Sequence, residues 1–369
     1  MRTEGESQIT LESRVSHGLE ASILNVPDSC LTDNIFHGEV IVSPFQILSS
    51  AAAATLLLGC AQSAPPPAAV RNAPAPPAAL SADPAATAAA DPSGGLTLSR
   101  IREVAGESRP GTVQLFFTPG HAERAEMLQR MVEEGVRFFA DSLQLRAEVN
   151  LAVLDAPAWT ELSDVPYGIP FFSPNSSIIF LPATLDGPIP ADYLTHRAHY
   201  SSESMEKIRA SGLTFEEGAH TMVDLIGYHE LGHLLTRAFG IRPRSAWMSE
   251  FLATYFAYAF LRREHPNLAS LWDGIVPIPA SYQPQHTSLQ DFDRLYFGVG
   301  PQNYFWYQGT FALKVTDVFS RQGLGFLRAV REAFPADGRG QPSSQEVLER
   351  FDRIQPGFVA WAGSLDPGS

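Results

Sequence analysis

Apolar residues fall into two regimes along this chain. Between residues 113 and 181 they come in short runs. The run from Val113 to Phe117 reads as a strand, and Val149, Leu151 and Val153 alternate with small or polar neighbours as a second. Between them Met127, Met131, Val132, Val136 and Phe139 recur at helical spacing, which predicts an amphipathic helix from Ala122 to Leu143. Pro166-Tyr167-Gly168-Ile169-Pro170 is a loop, and the stretch from Ser177 to Leu181 is a short strand closed by Pro182. Beyond Leu213 the period is helical throughout. The stretch from Thr221 to Phe239 holds no proline, carries Leu225, Ile226, Leu234 and Leu235, and meets a stop at Gly240. The stretch from Ala246 to Arg263 is apolar nearly all round, which predicts a buried helix that Ser245 can cap. Strands first and helices afterwards indicate an α+β fold.

The first 95 residues follow neither regime. The apolar run from Ile47 to Leu58 is too short to span a bilayer as a helix and has the length of a signal-peptide core. Cys60 follows it directly, in Leu57-Leu58-Gly59-Cys60. From Ala61 to Gly95 alanine and proline dominate without a periodic face, as in an extended tether. The expected organisation is a signal-like pre-segment 1–59, a linker 60–95, an α/β part 96–212 and a helical part 213–369. Leu57-Leu58-Gly59-Cys60 resembles the lipobox of bacterial lipoproteins, in which the cysteine is acylated and becomes the mature N-terminus. That resemblance implies lipidation of Cys60, attachment to a membrane through the lipid, and a place in the bacterial cell envelope facing the periplasm or exterior. No basic residue lies between Arg14 and Cys60 and the run begins late, so translation is expected to start near Val40 or Val42.

Composition narrows the chemistry. An apolar fraction of 44% suffices for a packed core, and a formal charge of −14 argues against a nucleic-acid role, which needs a basic face. Cys30 and Cys60 are the only cysteines, so no multi-cysteine metal site exists in the folded part. Histidine supplies the alternative. His229-Glu230-Leu231-Gly232-His233 places two imidazoles four residues apart on one helix face, a spacing at which both can ligate one Zn²⁺ while Glu230 points toward its water. The longer metzincin pattern needs glycine and histidine where this chain has Thr236 and Phe239. Glu250, between Met248 and Phe251 in the apolar second helix, is a buried carboxylate in need of a partner, and a metal serves. Thr254, one turn on, is better placed than Asp224 to support a ligand. His121, His196, His199, His220 and His286 have no spacing that recommends them.

His229-Glu230-x-x-His233 followed by Trp247-Met248-Ser249-Glu250-Phe251-x-Ala253-x-Tyr255 resembles the gluzincins, zinc peptidases related to the aminopeptidase family of clan MA. The resemblance implies a zincin-like catalytic domain, with a small N-terminal β-sheet subdomain and a mostly helical C-terminal one. It implies one Zn²⁺ on His229, His233 and Glu250, with Glu230 as general base in hydrolysis of a peptide or protein substrate. The family's edge strand before the metal helix corresponds to the stretch from Asn175 to Leu181, nominating Asn175, Ser176 and Ser177 as substrate contacts; the alternative is that they form the turn opening that strand. The motif Gly-x-Met-Glu-Asn, which anchors a free α-amino group, is absent, so aminopeptidase specificity does not carry over. For the oxyanion-stabilising tyrosine, Tyr307 is the first candidate and Tyr304 the second, against an alternative in which both only pack their helix. A different class of reading is a catalytically inactive gluzincin-like lipoprotein that binds a peptide or protein partner.

Overall fold

A computed structural model describes residues 96–277, 282–340 and 342–365. The pre-segment, the linker and Cys60 lie outside the described residues. The chain enters through α1 (Leu98–Ala105), then β1 (Glu107–Arg109), β2 (Val113–Phe117), α2 (Ala122–Leu143), β3 (Val149–Leu154) and α3 (Ala156–Leu162). A hairpin of β4 (Phe171–Ser173) and β5 (Ile178–Pro182) completes the sheet. Helices follow: α4 (Pro188–Thr195), α5 (Ser202–Ala210), α6 (Phe215–Ala238), α7 (Ala246–Glu264), α8 (Pro266–Ile275) and α9 (Leu289–Leu295). A 3-10 turn, Tyr296–Val299, leads into α10 (Pro301–Gln322), α11 (Gly325–Ala333), α12 (Ser344–Ile354) and α13 (Phe358–Leu365). The α+β architecture expected from the two apolar regimes is the one observed. No helix among the described residues is long and apolar enough to cross a membrane.

Strand order in the sheet is β1-β2-β3-β5-β4. The three central strands are parallel, and β1 and β4 run antiparallel at the two edges. Alternation along each strand sends side chains to opposite faces. Leu115, Leu151 and Ile179, in register across the sheet, join the core shared with α2, α6 and α7. Phe116, Ala152 and Phe180, one residue on, pack instead against Ile101 of α1 and Trp159 of α3. Both faces are therefore covered, which explains the near-continuous apolar runs of β3 and β5.

This order corrects one expectation. The strand at residues 178–182 is not an edge: β5 sits between β3 and β4, and the edge on that side is the three-residue β4. Asn175, Ser176 and Ser177 lie in the turn of the β4–β5 hairpin. Ser177 takes the left-handed conformation there (φ 48°), and the Asn150 side-chain amide donates to the Ser176 carbonyl at 3.1 Å. Asn150 of β3 thus holds the turn, and Ser173 Oγ and Ser176 Oγ lie 3.0 Å apart within it, which is the turn alternative.

The helical part is organised around α6 and α7. Thr214 and Glu217 form a reciprocal capping box that starts α6 at Phe215. Gly240, at φ +80°, ends it. Ser245 caps α7 as expected, its hydroxyl accepting from the Met248 amide, and α7 is buried along most of its length. The two helices meet at Gly232, where a Cβ would stand 2.4 Å from the Ala253 carbonyl oxygen and 2.8 Å from the Ala253 Cα. Only a residue without a side chain permits that approach.

Candidate metal centre

The approach at Gly232 sets Glu250, one turn before Ala253, beside the two histidines of α6. Glu250 Oε2 lies 3.1 Å from His229 Nε2, and Oε1 lies 3.6 Å from His233 Nε2. Among the described residues, His229, His233 and Glu250 form the group that can hold a metal ion, with ligand atoms all within 4.8 Å of one another. Four-coordinate zinc with bonds of about 2.0–2.1 Å places neighbouring ligand atoms about 3.3–3.4 Å apart. The two observed separations straddle that value, so the donor set and its spacing fit such an ion. All three residues project from helices fixed by core packing, and Glu250 is only 1% exposed.

Each histidine has a partner for its other ring nitrogen. His229 Nδ1 is 3.1 Å from Thr254 Oγ1, the contact expected from the helix geometry, and His233 Nδ1 is 3.3 Å from Ser249 Oγ. With Nδ1 so engaged, Nε2 of each ring is left to face Glu250. Asp224 instead pairs with Arg124 at 2.6 Å, linking α6 to α2. His196 and His286 pair with Asp192 and Asp291, away from the cluster.

Burial and charge set the protonation states. Burial pushes the Glu230 carboxyl up to about 8, with the Glu250 charge adding to it and His229 and the Phe172 amide opposing. Burial pushes His233 down to about 4. For His229 burial works against the charged form, yet its hydrogen bond to Glu250 and the charges of Glu230 and Glu250 hold its pKa above the ordinary value. Glu250 resists ionisation through burial, but His233, His229 and the Tyr296 hydroxyl hold it well below the usual carboxylate range.

Three more side chains reach the same carboxylate. Tyr296 Oη donates to Glu250 Oε1 at 2.6 Å, Gln308 Nε2 to Oε2 at 2.8 Å, and Tyr304 Oη to Oε2 at 3.2 Å. Burial first, then the Glu250 charge, pushes both tyrosines well above the usual phenol range, so they remain donors. Of the two tyrosines named from the sequence, only Tyr304 reaches the cluster. Tyr307 is a correction: it is fully buried, its ring packs on Phe292 at 4.7 Å, and its hydroxyl donates to the Ser288 carbonyl at 2.7 Å. It packs the helix, as the alternative reading held.

The true edge strand also reaches the site. The Phe172 amide of β4 lies near enough to the Glu230 carboxyl to favour its charged form. The Phe172 ring lies nearly parallel to His233, with centroids 6.5 Å apart. Sequence reasoning missed Phe172, Tyr296, Ser249 and Gln308. For Gln308 a signal existed, because it stands one helical turn after Tyr304. No family model matches the chain, and no curated protein or solved structure matches it either.

Proposed function

We propose that the chain is a zinc-dependent peptidase of the gluzincin type, tethered to the bacterial cell envelope by a lipid on Cys60. The observation that carries this reading is the buried set of His229, His233 and Glu250 with a buried carboxyl, Glu230, next to it. His229, His233 and Glu250 would hold the ion. Bound there, zinc supplies Lewis acidity and makes water a competent nucleophile near neutral pH.

The chain's own residues do the rest. Glu230 takes a proton from the attacking water and returns it to the leaving amine, and a carboxyl with its pKa raised toward neutrality suits both transfers. The Phe172 amide, on the β4 side, favours the charged form of that carboxyl. As the sheet edge beside Glu230, β4 offers an extended substrate a strand to lie along. The Tyr304 hydroxyl, which reaches the Glu250 carboxylate at 3.2 Å, is the donor for negative charge developing on the scissile carbonyl. Thr254 and Ser249 fix the histidine rings. A catalytically inactive binding protein gains nothing from a buried, costly carboxyl at Glu230, which favours turnover.

Two measurements test the reading. Metal analysis of protein purified without chelator should return close to one equivalent of zinc, and less than half an equivalent overturns it. Glu230→Gln should abolish hydrolysis of a mixed peptide library while keeping the zinc; unchanged hydrolysis excludes this mechanism.

A further inference from the structure

Glu250 carries more hydrogen bonds than ligation of a metal requires. An ionised carboxylate offers about four acceptor directions, two on each oxygen. Tyr296 fills one on Oε1 and Gln308 one on Oε2, both with short bonds, at 2.6 and 2.8 Å. Tyr304, at 3.2 Å, and His229 Nε2, at 3.1 Å, also meet Oε2, whereas Oε1 faces only His233 Nε2, at 3.6 Å, among the two histidines, and is the less crowded oxygen. The two short donors come from different elements, one from the 3-10 turn after α9 and the other from α10.

Tyr296 holds its place at a cost. Its backbone stands at φ 47°, ψ −115°, and among the described residues only Gln144 and Ser177 are other non-glycine residues at positive φ. Such a conformation persists where surrounding contacts over-determine it. Here the contacts include the hydroxyl bond to Glu250 and edge-on packing against Phe292 and Tyr304, at 5.5 and 6.1 Å between ring centroids. The strained turn aims one hydroxyl at one ligand oxygen.

We propose that Tyr296 and Gln308 are positioning residues that clamp the Glu250 carboxylate in the one orientation that completes the metal site with His229 and His233. The clamp crowds Oε2 and leaves Oε1 the more open oxygen, so it suits a small divalent ion that takes one oxygen from this residue. The two-oxygen grip that glutamate gives calcium is closed off. This inference rests on the metal-binding part of the reading above, and it is independent of whether peptides are cleaved.

The experiment measures zinc affinity of the full chain by equilibrium competition with a chromophoric chelator. Tyr296→Phe and Gln308→Met each remove a donor while keeping bulk, and Tyr307→Phe removes a hydroxyl that bonds elsewhere. Losing a hydrogen-bond partner of a metal ligand typically weakens binding about 10- to 100-fold, and that loss is expected for each of the first two variants. Tyr307→Phe should stay within about twofold of the parent. If the parent binds zinc tightly and both clamp variants match it, the clamp is overturned while the metal site stands. If Tyr307→Phe weakens binding as much as the others, the effect is general packing and the clamp is again overturned. A parent that binds no zinc removes the metal site and the clamp together. Melting of the metal-free variants checks folding, and if Tyr296→Phe does not fold, Gln308→Met decides alone. A crystal structure of the zinc-loaded protein should show one Glu250 oxygen on the ion; two at equal distance overturn the one-oxygen grip.

Discussion

Gly232→Ala is the sharpest test of how α6 and α7 assemble the metal centre. The added Cβ would sit 2.4 Å from the Ala253 carbonyl oxygen and 2.8 Å from its Cα, against 3.4 Å or more in ordinary contacts. Both atoms are backbone, so no rotamer change relieves the clash, and α7 must retreat by about 1 Å at this point. Two effects on the metal-free fold oppose each other. Overpacking costs about 1–3 kcal/mol, while replacing glycine inside a helix returns roughly 0.5–1 kcal/mol. Stability should therefore fall by at most about 2.5 kcal/mol, and the protein should still fold. Zinc binding has no such compensation. Glu250 is one turn from Ala253 and moves with it, and ligand distances tolerate only about ±0.2 Å. Zinc affinity, read by chelator competition, should drop at least tenfold while the metal-free melting temperature falls by at most about 10 °C. Ala253→Gly should not rescue it, because the clash is with backbone rather than with the Ala253 methyl. Zinc affinity within threefold of the parent would show that the helix crossing does not set the ligand geometry.

Tyr304→Phe should lower turnover of a cleaved peptide by about 10²-fold with the substrate KM little changed, the pattern expected when a transition-state donor is lost. An unchanged kcat removes Tyr304 from the mechanism. Asp293 reports on the docking of α9 against the start of α7: its carboxylate accepts from the Trp247 amide at 3.0 Å and from Ser344 Oγ at 2.7 Å. Burial pushes it up to about 6, so between about pH 4 and 6 the folded chain holds a proton that the unfolded chain releases. The contribution of this group is full below about pH 4 and is lost as pH rises through 6. Asp293→Asn, which cannot ionise, should thus gain stability relative to the parent across that window, by up to about 3 kcal/mol. A difference in melting temperature that stays constant from pH 4 to pH 7 refutes the assignment.

Some of the site was legible because metal ligation imposes a local rule. Two histidines four residues apart lie on one helix face, and Glu250 announced itself as a carboxylate in a helix apolar nearly all round. Thr254 followed from the same helix geometry. The edge of the sheet was not legible in this way. Strand order is a tertiary property, and β4 is only three residues long, too short for alternation to register. The turn signal in Pro174-Asn175-Ser176-Ser177 was present, and it marked a hairpin rather than the mouth of a site.

The tyrosines show where spacing rules stop working. Tyr307 was the first candidate by resemblance, but residues that share a helix face are three or four apart, so spacing pairs Tyr304 with Tyr307 and with Gln308 alike. Tyr304 and Gln308 reach Glu250, whereas Tyr307 turns into the core. Tyr296 belongs to no periodic segment, and only its strained turn aims its hydroxyl at the cluster, so no local pattern announces it. Gly232 marks the same limit inside the motif itself. By the spacing rule it is one of two freely variable positions between the histidines, yet it is the contact that brings the second helix close enough to supply a third ligand. The motif therefore specifies two ligands by local geometry, and the third through the absence of one side chain.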